Sequence, residues 1–164
     1  MMLLVDAFNV IYKFPVLEEH MAQGRLAEAR RGLLEIVYDF AKKWKKPLDI
    51  HLVFDGKKNK GDATESEIVS GIKVIYSHDL SADHIIKQFI KHNARPADIR
   101  VVTSDKDILG HAKKWHCDRM TSEDFHKWVV STLEDKPLPE EKPQTEDVDV
   151  GYWMSMFKNR RPGK

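Results

Sequence analysis

Four aspartates have the type and spacing to do chemistry: Asp6, Asp55, Asp83 and Asp105. Three of them end short apolar runs. Leu3-Leu4-Val5 closes on Asp6, the run from Ile50 to Phe54 closes on Asp55, and the run from Ile99 to Ser104 closes on Asp105. An apolar run that stops abruptly at an acid predicts a buried strand carrying a carboxylate at its C-terminal tip. In open α/β sheets that edge is where ligands sit. Asp83 falls just inside a helix expected over residues 81–93. Hard oxygen donors gathered there suit Mg2+ or Mn2+, which keep several waters and need few carboxylates. With a phosphodiester in place, such a centre activates water and stabilises the leaving oxygen. Asn9 offers an amide three residues beyond Asp6, either to orient a carboxylate or a water or to serve as a turn residue.

Taken singly, each acid has an ordinary explanation. Asp105 and Asp107 follow Ser104 at a helix start, so Ser104-x-x-Asp107 reads as a variant capping box. Asp83 lies two residues after Ser81, where negative charge favours a helix N-terminus by roughly 0.3–1 kcal/mol. Asp55-Gly56 reads as a turn. Asp6 resists such an account, because apolar Ala7 and Phe8 follow it and no cation stands nearby in sequence. Burying like charges together is expensive unless a metal or shared protons compensate. Acids ending three separate strands on one edge therefore point jointly to a metal centre.

The elements that must hold these groups alternate in type. Met2 to Val5 reads as the first strand, and residues 8–23 as a connector whose Pro15 argues against a continuous helix. Leu26, Ala29, Leu33, Leu34, Val37, Phe40, Ala41 and Trp44 recur at three and four, giving one apolar helical face. Lys42, Lys43, Lys45 and Lys46 crowd its end, where cations suit the macrodipole. After Pro47, residues 49–54 form the second strand. Residues 56–71 are polar and expected to be a mobile loop. Its Lys57, Lys58 and Lys60, close to Asp55, are candidate phosphate contacts or a solvated charged face; Arg25, Arg30 and Arg31 stand under the same two readings. Ile72 to Tyr76 is the third strand and Arg100 to Thr103 the fourth. A helix over residues 106–114 leads to a short strand near Cys117 to Met120, and Ser122 caps a helix through Leu133. Strands alternating with helices imply right-handed crossovers and a covered parallel sheet. The expected fold is a three-layer α/β domain with a central, mainly parallel sheet of about five strands.

That domain is expected over residues 1–134. Residues 135–146, with Pro137, Pro139 and Pro143, read as a linker. Residues 147–164 carry Val150, Trp153, Met154 and Phe157 at the spacing of an amphipathic helix, closed by basic Arg160 and Arg161. We expect this helix to dock on its own domain, the alternative being a partner's groove.

The 164 residues suffice for one well-buried core, and the formal net charge of +1 excludes a global basic field. The single Cys117 excludes a disulfide framework and reads as a buried small hydrophobe. No signal-peptide pattern and no apolar span of roughly 18 residues is visible, so a cytoplasmic protein without membrane contact is expected. There is no Walker A loop and no Gly-x-Gly-x-x-Gly, which argues against nucleotide cofactors. A receiver domain would need a second acid at the first strand, where Ala7 stands. A haloacid-dehalogenase-type phosphatase would need an acid at Phe8, and a Toprim-like domain a Glu at the first strand. No motif speaks to oligomeric state.

The run Val5-Asp6-Ala7-Phe8-Asn9-Val10-Ile11 resembles the opening signature of NYN-domain nucleases in the PIN-like superfamily. The resemblance extends through Ala29-Arg30, Val53-Phe54-Asp55-Gly56, Ser81-Ala82-Asp83 and Val102-Thr103-Ser104-Asp105, and is greatest to the YacP-like group, including a late Trp153 and Phe157. It implies a Mg2+- or Mn2+-dependent ribonuclease, an endonuclease, acting on RNA that is free or held in a ribonucleoprotein. Carried over by position, Asp6, Asp55, Asp83 and Asp105 would be the acidic, metal-holding set, with Asn9 as polar companion and Arg30 as an RNA contact. Ala7 stands where many relatives have Gly, and His84 where a second acid is common. A helix-surface position is expected for His84. The alternative is a non-catalytic RNA-binding or scaffold protein on the same fold.

Overall fold

A computed structural model describes residues 1–135; beyond Asp135, the expected linker and terminal helix lie outside the described residues. In chain order the elements are β1 (Met2–Asp6), α1 (Ala7–Ile11), α2 (Pro15–Ala22), α3 (Leu26–Lys43), β2 (Asp49–Phe54), β3 (Ser66–Val69), β4 (Ile72–Tyr76), α4 (Ala82–Lys91), β5 (Ile99–Val102), α5 (Lys106–Lys114), β6 (Asp118–Met120) and α6 (Ser122–Leu133). They build one sheet of order β3-β4-β2-β1-β5-β6, parallel except for β3 against β4. Leu3, Leu4 and Val5 are all fully buried. That is why β1 reads as a continuous apolar run rather than an alternating one: it lies near the middle of a sheet covered on both faces.

Two cores sandwich the sheet. On one face Leu3, Val5 and Val102 pack under Leu33, Val37 and Phe40 of α3 and Phe125 and Trp128 of α6. On the other, Leu4, Val53 and Val101 meet Ile86 and Ile90 of α4 and Ile108 and Ala112 of α5. Each fully buried side chain of this size contributes about 1.5–3 kcal/mol, so the carboxylates at the sheet edge stand on a rigid base. The architecture is the expected three-layer α/β domain. Among the described residues no helix is long and apolar enough to cross a membrane.

The sheet has six strands rather than about five. Residues 66–69, read from sequence as loop, form the antiparallel edge strand β3. Its Ile68 points outward at 69% exposure, so the segment carries too little apolar pattern to announce itself. Ser70 and Gly71, at φ 52° and 82°, make the two-residue hairpin turn that pairs Val69 with Ile72. The loop before it is fastened rather than free. Arg30 Nη2 donates to the Lys58 carbonyl at 2.5 Å, Lys58 Nζ reaches Glu67 at 3.0 Å, and the Tyr76 hydroxyl donates to Glu67 at 2.7 Å. His78 Nε2 holds the Thr64 carbonyl at 2.6 Å.

The connector over residues 8–23 also folds, into α1 and α2. No continuous helix runs through Pro15, as expected; it begins α2, since the first helical position has no use for an amide hydrogen. Two caps differ from expectation. Thr121, not Ser122, caps α6 by accepting from the Asp124 amide, and Asp105, not Ser104, caps α5.

Candidate active site

β1 lies between β2 and β5, and all three run parallel. Their C-terminal ends therefore share one edge, and with them the acids. Asp6 is the last residue of β1, Asp55 directly follows β2, and Asp105 follows β5 after Thr103 and Ser104. Asp83 joins from the first turn of α4.

Each carboxylate is fixed through one oxygen. Asp6 Oδ2 accepts from the buried Thr103 hydroxyl at 2.9 Å. Asp55 Oδ1 accepts from the Ala82 amide at 2.9 Å, at the N-terminus of α4. Asp105 Oδ1 caps α5 through the amides of Asp107 at 2.8 Å and Ile108 at 3.3 Å. Asp83 Oδ1 lies 3.1 Å from Lys87 Nζ, paired by charge rather than through an aligned hydrogen bond. The second oxygen of each accepts no hydrogen bond from a described residue. Capping and chemistry are thus not rivals here: the cap orients the group and leaves an oxygen over.

Burial raises the Asp6 carboxyl to a pKa of about 6. The Thr103 hydrogen bond opposes that shift, and repulsion from Asp105, Asp55 and Asp83 adds to it. The other three acids thus all bear on Asp6. Among the described residues no three His, Cys, Asp or Glu side chains are drawn close enough to grip one ion as they stand. Mg2+ rarely uses such a cage; it is held through one or two carboxylates, waters and substrate phosphates. A half-buried carboxyl repelled by three other acids, with a spare hard oxygen on each group, has the chemistry that would suit a divalent cation.

Asn9 acts through the loop that carries Asp105. Its Oδ1 accepts from the Ser104 amide at 2.9 Å and the Ser122 hydroxyl at 2.6 Å. Ser104 in turn accepts from the Ser122 amide at 2.9 Å and donates to Glu123 Oε1, whose other oxygen meets Lys13 at 3.3 Å. Burial would raise Glu123, but these hydrogen bonds and the Lys13 charge prevail and hold it below the usual carboxylate range.

Of the basic residues, Arg30 and Lys58 hold the loop after β2, whereas Lys57 and Lys60 are exposed and find no partner among the described residues. His84 is exposed on α4. Ala7 opens α1 fully buried and without a positive φ, so the methyl that replaces the relatives' Gly is tolerated. Sequence reasoning named Thr103 only within a motif and Ser122 only as a cap, and did not single out Glu123 or Lys87. Only Lys87 carried a signal, its four-residue spacing from Asp83.

The fold has counterparts among known proteins. Two crystal structures of Rae1 (YacP) from Bacillus subtilis, both 22% identical to this chain, superpose with TM-scores of 0.66 and 0.64, the second being a tryptophan-to-leucine mutant. Each covers 82% of this chain, and the match spans 76% and 77% of the respective Rae1 chains. No curated protein matches. The model of the YacP-like NYN domain matches residues 3–149. The chain therefore belongs to the YacP-like NYN family, whose PIN-like nuclease fold supports a nuclease or RNA-related role.

Proposed function

We propose that this chain is a Mg2+- or Mn2+-dependent ribonuclease that hydrolyses RNA phosphodiester bonds internally at the edge formed by Asp6, Asp55, Asp83 and Asp105. The observation that carries the reading is the Asp6 carboxyl. It is half-buried, lifted to about 6, and repelled by the other three, each of which keeps a free oxygen. So costly an arrangement is compensated when a divalent cation is bound. The cation supplies activation of water and stabilisation of the leaving oxygen.

The chain's own residues do the rest. Asp6, with Thr103 holding one oxygen, Asp55, held by the Ala82 amide, and Asp105, the cap of α5, would present fixed oxygens to the cation. Asn9 sets the loop bearing Asp105. Lys57 and Lys60, beside Asp55, hold RNA by its phosphates.

The reading is tested by incubating labelled RNA with the protein in Mn2+ or EDTA, beside Asp6→Asn. Cleavage that needs metal and disappears in the variant is expected, and an Asp6→Asn protein that cuts as fast as its parent refutes the site. One observation favours a second reading, a non-catalytic RNA-binding protein: no three acids are pre-gathered, and Lys87 already sits against Asp83. Metal-independent RNA binding with no cleavage under any condition is the outcome that selects it.

A further inference from the structure

At the acidic edge one cation is built into the chain. Lys87, one turn along α4 from Asp83, places its ammonium 3.1 Å from Asp83 Oδ1 and 2.5 Å from Asp107 Oδ2 at the start of α5. Both partners bear on the site. Asp83 repels Asp6, and the Asp107 amide is the one that Asp105 caps at 2.8 Å. The Asp83 oxygen facing Lys87 is hidden from solvent and has no other partner among the described residues. Lys87 therefore spans the two helices that carry half of the acidic set.

We propose that Lys87 is a positioning residue that serves as the site's internal counter-ion, holding Asp83 in place while the edge is empty and competing with the divalent cation for it. The inference rests on the metal-site reading above. The ammonium lies between two carboxylates, 3.1 Å from Asp83 and 2.5 Å from Asp107. Removing it strips one positive charge from beside a site meant for two, which strengthens attraction for a cation. It also leaves like charges facing each other without relief. The same side chain thus stabilises the metal-free protein and weakens its hold on metal.

Two variants of the full chain, Lys87→Met and Lys87→Arg, separate these effects. Mn2+ binding is measured by isothermal titration and the melting temperature is taken in EDTA. Lys87→Met is expected to bind Mn2+ roughly tenfold more tightly and to melt a few degrees lower in EDTA. Lys87→Arg keeps the charge and is expected to stay near the parent in both. If Lys87→Met melts lower but binds Mn2+ as the parent does, Lys87 is a mere tie between helices and the proposal fails alone. If neither parent nor variant binds Mn2+, the metal-site reading fails and takes the proposal with it.

Discussion

The Thr103 hydroxyl donates to Asp6 Oδ2 at 2.9 Å and accepts the Asp105 amide at 3.1 Å. One buried oxygen atom thereby ties the acid at the end of β1 to the acid beyond β5. Two carboxylates far apart in sequence owe their relative position to a side chain that carries no charge.

Thr103→Val keeps the shape of the residue but removes both bonds. It is expected to cost about 1–2 kcal/mol in urea unfolding and to move the Asp6 titration higher, since the hydrogen bond now opposes that rise. Thr103→Ser retains the hydroxyl and should recover most of both effects. NMR observation of the Asp6 carboxyl reports the titration directly.

Asp6 gives the metal-free protein a distinct pH profile. Its carboxyl binds a proton more tightly in the folded chain, at about 6, than in the unfolded one, near the ordinary aspartate value of 3.8. Ionising it therefore favours unfolding. The loss is absent below about pH 4, grows across the interval, and is complete above pH 6. Asp6→Asn removes the ionisation, so its melting temperature in EDTA, measured against the parent's, should gain with pH between 4 and 6. A difference that stays flat across that range contradicts the assignment.

Asn9 is expected to matter more for holding a loop than for touching substrate. Asn9→Ala leaves the Ser104 amide and the Ser122 hydroxyl without their acceptor, at a cost of about 2–3 kcal/mol. Asn9→Asp keeps an acceptor oxygen and should stay within about 1 kcal/mol of the parent. Chemical denaturation of the two variants distinguishes this role from direct participation, which Asn9→Asp would also impair.

Binding to RNA should depend on salt through Lys57 and Lys60. Replacing both with Ala is expected to reduce the slope of log affinity against log salt by roughly 1–2, about 0.7 per single-strand phosphate contact. Lys58 is already engaged with Glu67 at 3.0 Å, so Lys58→Ala should alter loop stability before it alters the slope. Filter binding over a range of salt concentrations measures both.

Much of this was legible in the residues. Leu3-Leu4-Val5-Asp6 announced a buried strand and its terminal acid, and alternating strands and helices announced a parallel sheet but not the order that sets β1 between β2 and β5. What stayed hidden has physical causes. β3 turns Ile68 to solvent, so its pattern is broken. Pro15 signals either the end of a helix or its first residue, and sequence does not choose between them. Thr103, Glu123 and Lys87 gain their roles from neighbours brought by folding, and for Thr103 that neighbour is the first strand. The rim loop was read as mobile because its polarity was visible and its clasps, Arg30, Glu67 and His78, were not.

The strand order has a consequence for the newborn chain. A ribosome delivers β1 and β2 early, yet the seat beside Asp6 stays vacant until the segment beginning at Ile99 has slid in. A polypeptide arrested before that point carries Asp6, Asp55 and Asp83 but lacks the hydroxyl that aims the first of them. The fourth acid, Asp105, and the hydroxyl that orients the first are thus made together, just past β5.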